Sequence, residues 1–313
     1  MKRALGEVTG VLTHWDADGI MVANKYMTFF KDRYVNLYIP EIGSWSIRAV
    51  PEEVNLEDVL AVFDYNIPTH EMGQLKPRLV IIDHHSIPAP EGAIACNPLV
   101  EGGWAPSATY VLSSLFDSYD WRDAVSIAAD LVEPEKWEGW KRLSEELGIE
   151  TEEAKEAAAI VNACHRIGDT FCILSLSERA HLLGLKGILE SPSLRRRREK
   201  VLKLLDELEN LLKCVESDGI TFCEIESDDK RLILISALWR RLYKKIKAKE
   251  LIILMKGKNK ARIYCRGELF DHLKLIEMLR GKVYEVGGKP EVCSAIMPLH
   301  VVERVLNVLG VPR

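Results

Sequence analysis

Apolar residues in the first half of the chain fall in short runs that stop abruptly at polar groups. Val8 to Leu12 leads to His14-Trp15-Asp16-Ala17-Asp18-Gly19, and Val59 to Phe63 leads to Asp64-Tyr65-Asn66. Leu79 to Ile82 leads to Asp83-His84-His85, with Ser86, Pro88 and Pro90 just beyond. Runs of this length, rich in β-branched residues and closed by turn formers, predict buried strands of a parallel sheet. Ala93 to Cys96 predicts another short strand. Between the runs the period changes. Ile20, Ala23, Met27 and Phe30 share one face of a predicted helix, and Ala108 to Phe116, Trp121 to Leu131 and Thr151 to Arg166 predict three more. Alternating strands and helices give the fold class: an α/β N-terminal domain with a mostly parallel sheet flanked by helices.

A break follows at Ser191-Pro192-Ser193. Leu194, Val201, Leu204, Leu208 and Leu211 then form a narrow apolar seam, which predicts one linker helix running to about Lys213. It opens on Arg195-Arg196-Arg197-Arg198, a solvated face or a contact to phosphates. Strands at Ile220 to Ile225, Leu251 to Met255 and Ala261 to Cys265 alternate with helices at Arg231 to Ile246 and Phe270 to Arg280, and a last helix lies around His300 to Leu309. Val286-Gly287-Gly288-Lys289-Pro290 reads as a glycine-rich loop. The expected domains are 1–190, a linker helix over 191–215, and a smaller C-terminal α/β domain over 216–313.

Composition changes the picture in three places. With 47% apolar and 28% charged residues, and no apolar run of membrane-spanning length, the chain reads as soluble and cytoplasmic, with no membrane partner. Its seven cysteines are odd in number, widely spaced and free of any C-x-x-C pair, so they are expected to be reduced. The net charge of −5 is unevenly spread: Arg240 to Lys289 holds fifteen Lys/Arg against five Asp/Glu, a balance of +10 that leaves −15 for the remainder. An acidic front and a basic back suit cations in one part and a polyanion over the other.

The candidate chemistry collects at the ends of the predicted elements. His14, Asp16 and Asp18 sit two apart, so in extended backbone they point the same way. Asp64 and His84 end two further strands, with Asp83 and His85 beside the latter, and Asp130 ends an apolar helix, where a lone carboxylate wants a partner. Two imidazoles and four carboxylates exceed the needs of one divalent ion and suit two, with one carboxylate shared. Mixed nitrogen and oxygen donors favour Mn²⁺, with Mg²⁺ and Co²⁺ as alternatives. Ser107 reads as a helix cap, with a phosphate contact as the alternative. The other histidines, among them His165, His181 and His272, read as structural. Trp239 and Tyr243 read as core residues, with base stacking as the alternative.

These residues resemble the DHH phosphoesterase superfamily, and within it the DHH–DHHA1 group of RecJ-like nucleases and nanoRNase-type phosphodiesterases. His14-x-Asp16-x-Asp18-Gly19 resembles its first motif, Asp64 in Val-Phe-Asp its second, Asp83-His84-His85 its third, and Ala129-Asp130 its fourth. The resemblance implies that His14 and Asp16 hold one metal ion and Asp18, His84 and Asp130 the other, with Asp64 bridging. It implies that His85 faces the scissile phosphate and that Asp83 orients an imidazole. The C-terminal domain resembles DHHA1, whose Gly-Gly-His motif here reads Gly287-Gly288-Lys289, so a lysine stands where the family carries histidine. Lys289, Gly287, Gly288, Ser107, Arg195 and Arg196 are the candidate substrate-binding residues.

The implied activity is metal-dependent hydrolysis of single-stranded DNA or RNA, as an exonuclease leaning 3′→5′, with a role in DNA repair. A phosphodiesterase for short oligonucleotides or cyclic dinucleotides is the alternative. A non-catalytic replisome scaffold is a reading from another class; it would show as lost metal carboxylates, and none is lost. A replication or repair protein such as a helicase, and a second copy of the chain, are the implied protein partners.

Overall fold

A computed structural model describes residues 1–243, 245–246 and 248–310. The chain forms two compact units, Met1–Lys200 and Val201–Arg313. The first contains α1 (Lys2–Leu5), β1 (Gly10–Thr13), α2 (Ala17–Phe29), β2 (Asn36–Tyr38), β3 (Val59–Phe63), α3 (Thr69–Met72), β4 (Arg78–Ile82) and β5 (Ile94–Cys96). Helices α4 (Ala108–Phe116), α5 (Trp121–Asp130), α6 (Glu138–Leu147), α7 (Thr151–Arg166) and α8 (Thr170–Glu190) follow. Helix α9 (Pro192–Leu211) runs across the division between the units.

The first sheet is entirely parallel, in the order β2-β1-β3-β4-β5. Its central strands are buried because both faces are covered. Leu12, Leu60, Val62, Leu79 and Ile81 pack on one side with residues of α5, α7 and α8. Val11, Ala61, Phe63, Val80 and Ile82 pack on the other with residues of α1, α2 and α4. Register aligns Thr13 with Phe63 and Phe63 with Ile82, so β1, β3 and β4 finish level. The residues that follow, His14, Asp64 and Asp83, therefore emerge side by side at one carboxyl edge, beside the reversal of strand order between β1 and β3.

The second unit carries β6 (Lys213–Ser217), β7 (Ile220–Glu226), α10 (Ile235–Tyr243), β8 (Glu250–Lys256), β9 (Lys260–Gly267), α11 (His272–Leu279), β10 (Glu285–Lys289), β11 (Val292–Pro298) and α12 (Val302–Leu309). Its mixed sheet runs β10-β11-β9-β8-β7-β6.

Several expectations change. The linker helix stops at Leu211, and Lys213 begins a strand that pairs with β7. Gly287 to Lys289 form a strand rather than a loop, because β11 supplies an antiparallel partner. Gly288 has φ 157, and a Cβ there would lie 1.9 Å from the Val292 carbonyl oxygen, so only glycine fits this close approach. Four cysteines are paired rather than reduced: Cys164 with Cys172, and Cys214 with Cys223. The first pair spans the short connection from α7 to α8, and the second faces itself across the β6–β7 register, so the fold alone brings each together.

Candidate metal centre

His14, Asp16 and Asp18 enter the site on the turn from β1 into α2. Asp16 caps α2 by accepting from the Gly19 N–H at 3.1 Å. A Cβ on Gly19 would lie 2.3 Å from the His14 carbonyl oxygen, so the turn is this tight only with glycine. Asp64 has φ 54, a left-handed conformation that aspartate and asparagine tolerate better than most residues. Asp130 stands in the last turn of α5, where the helix dipole disfavours negative charge.

These side chains converge in three overlapping donor sets whose ligand atoms lie within 4.8 Å of one another: His14, Asp16 and Asp64; Asp64, His84 and His85; and Asp18, His84 and Asp130. His14 Nδ1 lies 3.0 Å from Asp16 Oδ1 and 3.7 Å from Asp64 Oδ2. His84 Nε2 lies 2.9 Å from Asp130, 3.6 Å from Asp64 and 3.8 Å from Asp18. Its Nδ1 meets the Ala105 carbonyl at 3.2 Å, and a carbonyl only accepts, so Nδ1 carries a proton and Nε2 is the atom turned to the carboxylates. Asp83 stands behind. Its Oδ1 accepts from the His84 N–H at 2.7 Å and from His85 Nδ1 at 2.7 Å, and its Oδ2 from Asn66 Nδ2 at 3.1 Å. His85 is partly exposed, and its Nδ1 lies 3.7 Å from Asp64.

The residues fit a divalent-cation site on their own evidence. His14 Nε2 and Asp64 Oδ1 are buried without a hydrogen-bond partner, a costly state for polar atoms. Burial raises Asp64 far above the ordinary carboxylate range, and the charges of Asp18, Asp16, Asp130 and Asp83 raise it further. Burial and then Asp130 push Asp18 up to about 6. Burial also acts on Asp83, but the His85 imidazole overrides it and holds that carboxyl well below its usual range.

The raised pair makes stability depend on pH. A carboxyl raised on folding gives stability that is fully present below its unfolded pKa and is lost as pH rises through the folded value. The cation-free protein should therefore melt at lower temperature at about pH 8 than at about pH 5. Mn²⁺ should raise Tm strongly at the higher pH and less at the lower, where protons compete. Asp83 titrates below this window, so it does not offset the trend. Thermal melts with Mn²⁺ or chelator check this; a Tm indifferent to both would count against a cation site.

The remaining candidates divide. Ser107 is fully buried and its hydroxyl accepts from the Tyr110 N–H at 3.1 Å, so it caps α4. Arg195 and Arg196 are exposed, whereas Arg197 and Arg198 pair with Asp169 and Glu156. Gly287, Gly288 and Lys289 lie partly exposed on β10 of the second unit. Trp239 is buried and donates to the Leu251 carbonyl, so it is core. The basic excess of that unit is partly neutralised, with Arg241, Lys245, Lys256 and Arg266 in ion pairs.

Three contributors were not singled out from the sequence. Asn66 braces Asp83, Thr109 donates to Asp18, and Asn162 Oδ1 accepts from the Ala17 N–H at 2.9 Å at the start of α2. Asn66 carried a signal, since it lies two residues beyond Asp64.

No protein-family model and no curated protein matches the sequence. Solved structures do. RecJ from Thermus thermophilus in complex with Mn²⁺ is 16% identical with a TM-score of 0.67, over 99% of this chain and 54% of that one. The DHH domain of a protein described as a member of a ribosomal-protein family is 16% identical with a TM-score of 0.68, over 99% of this chain and 87% of that one. This is the DHH–DHHA1 fold. The chain thus spans about half of the Thermus RecJ, 54% of its length. The pGpG-specific phosphodiesterase PggH from Vibrio cholerae aligns over nearly the whole of both chains, 96% and 97%, at 16% identity and a TM-score of 0.50. The DHH tripeptide itself, Asp83-His84-His85, lies at the carboxyl end of β4, with Asp64 and His14 at the ends of the strands next in the sheet.

Proposed function

We propose that the chain is a phosphodiesterase, dependent on two divalent cations, that hydrolyses single-stranded nucleic acid. The observation that carries this reading is the sharing of Asp64: its carboxylate stands in the donor set of His14 and Asp16 and also in that of His84 and His85. In this reading His14 and Asp16 serve one cation, Asp18, His84 and Asp130 the other, and Asp64 both. Two such cations polarise phosphoryl oxygens and lower the pKa of water near them. Mn²⁺ suits the mixed donors, and the Thermus RecJ was solved with Mn²⁺ and with Mg²⁺.

The protein's own part is positioning. Asp83 accepts from His85 Nδ1, so that ring works through Nε2, where it can meet a phosphoryl oxygen as charge spreads over it. Asn66 and the His84 N–H keep the Asp83 carboxylate from turning away. Arg195, Arg196 and the Gly287-Gly288-Lys289 strand are the surfaces we assign to phosphate contacts. Lys289 acts there as a point charge without the directional hydrogen bonding of an imidazole.

A second reading, hydrolysis of very short oligonucleotides or dinucleotides, is favoured by one observation: the likeness to the pGpG-specific phosphodiesterase PggH, which runs over 96% of this chain. The two separate by digestion of labelled DNA and RNA ladders, from dimers to about 30-mers, in Mn²⁺. Stepwise shortening of the long strands, from the 3′ end, is the expected result. Loss of the shortest species alone would replace the exonuclease reading with the second one.

A further inference from the structure

We infer that Thr109 is a positioning residue that leaves Asp18 a single lone pair to offer, and so tunes which divalent cation the centre prefers. The inference rests on the two-cation reading and deepens it. Asp18 is fully buried against the first turn of α4. Its Oδ1 accepts twice, from the Thr109 N–H at 2.9 Å and from the Thr109 hydroxyl at 2.7 Å. Its Oδ2 accepts once, from the Ala108 N–H at 2.6 Å. A carboxylate oxygen has two lone-pair sites, so Oδ1 is saturated and Oδ2 keeps one free. Oδ2 is also the oxygen 3.8 Å from His84 Nε2, on the side of the donor set.

Thr109 is itself braced. It is fully buried, its carbonyl accepts from the Ser113 hydroxyl at 2.9 Å, and Ser126 Oγ lies 2.7 Å from its hydroxyl oxygen. The Thr109 proton is committed to Asp18, so Ser126 is the donor in that contact. Ser126 has a second acceptor in the Arg122 carbonyl at 2.8 Å, so removing the Thr109 hydroxyl strands no polar group.

The consequence is selectivity. Mn²⁺ and Mg²⁺ are content with one oxygen from each carboxylate, whereas Ca²⁺ takes more oxygens at longer range and accepts bidentate carboxylates. A saturated Oδ1 denies Ca²⁺ the second oxygen. Thr109→Val keeps the side-chain shape and the backbone N–H but frees one lone pair on Oδ1, and it removes a bond that fixes the carboxylate plane.

The test is calorimetric binding of Mn²⁺ and of Ca²⁺ to the full chain, with the Mn²⁺ EPR spectrum as a second readout. Thr109→Val should weaken Mn²⁺ binding roughly 10- to 100-fold and narrow the preference for Mn²⁺ over Ca²⁺, as loss of a group behind a ligand does. Thr109→Ser should restore both. Ser126→Ala, which leaves Thr109 in place, should shift binding the same way but less, and it decides the matter if the valine variant does not fold. Mn²⁺ and Ca²⁺ binding unchanged in a folded Thr109→Val, or in Ser126→Ala where that variant decides, would overturn the positioning role alone. If the wild-type chain takes up no divalent cation, the two-cation reading falls, and this inference with it.

Discussion

Asp64→Asn is expected to leave a folded protein whose hydrolysis of labelled oligonucleotides is at least about 10³-fold slower. Asparagine is the informative replacement because Asp64 sits at φ 54, which asparagine also tolerates; alanine would add backbone strain to the loss of charge. Among the described residues Asp64 alone joins the donor set of His14 and Asp16 to that of His84 and His85, so its loss should lower Mn²⁺ stoichiometry as well as rate. A second effect runs the opposite way. Burial and four neighbouring carboxylates make the Asp64 charge unfavourable, so the cation-free variant should melt above the cation-free wild type near neutral pH. Retained activity with wild-type Mn²⁺ content would remove Asp64 from its bridging role.

His85→Ala is expected to lower kcat about 10²-fold or more while leaving Mn²⁺ stoichiometry intact. The imidazole is partly exposed and tied through Nδ1 to Asp83, the arrangement of a group that meets substrate rather than a buried ligand. Asp83→Asn should lose a similar factor although Asp83 reaches no substrate. Its carboxylate holds the backbone of the tripeptide and the His85 ring through Oδ1 and Asn66 through Oδ2, and an amide loses the negative charge and sets an NH2 against Asn66 Nδ2. Single-turnover kinetics with parallel metal analysis separates the cases. Loss of a cation on His85→Ala would reassign His85 as a ligand, since it also stands in a donor set with Asp64 and His84.

Much of the centre was legible because its residues lie where short-range rules apply. His14, Asp16 and Asp18 share the period of two, Asp64 and Asp83 follow apolar runs, and Asp130 ends an amphipathic helix. The structure brings His14, Asp16, Asp18, Asp64 and Asp130 together with His84 and His85, with Asp83 behind them. Thr109, Ser126 and Asn162 were not legible, because they act on residues far away in sequence and look like ordinary helix positions until α2, α4, α5 and α7 are packed. The same holds for β10. Its glycines signal a turn when read alone, and only the presence of β11 makes them a strand. Ser107 was legible as the cap of α4, but not that the same helix N-terminus carries the buried carboxylate of Asp18.

The parallel sheet has a consequence for how the protein assembles. Each ligand-bearing element is separated from the next by a crossover or a longer excursion, so no two of the His14, Asp64, His84 and Asp130 side chains are neighbours until their loops have closed. Such pairings are slow to form, and a half-assembled chain presents isolated carboxylates rather than a chelating set. The chelating set is therefore complete only when this unit has folded. The converging acids oppose the last step of collapse, and a cation held among them would turn that opposition into a latch.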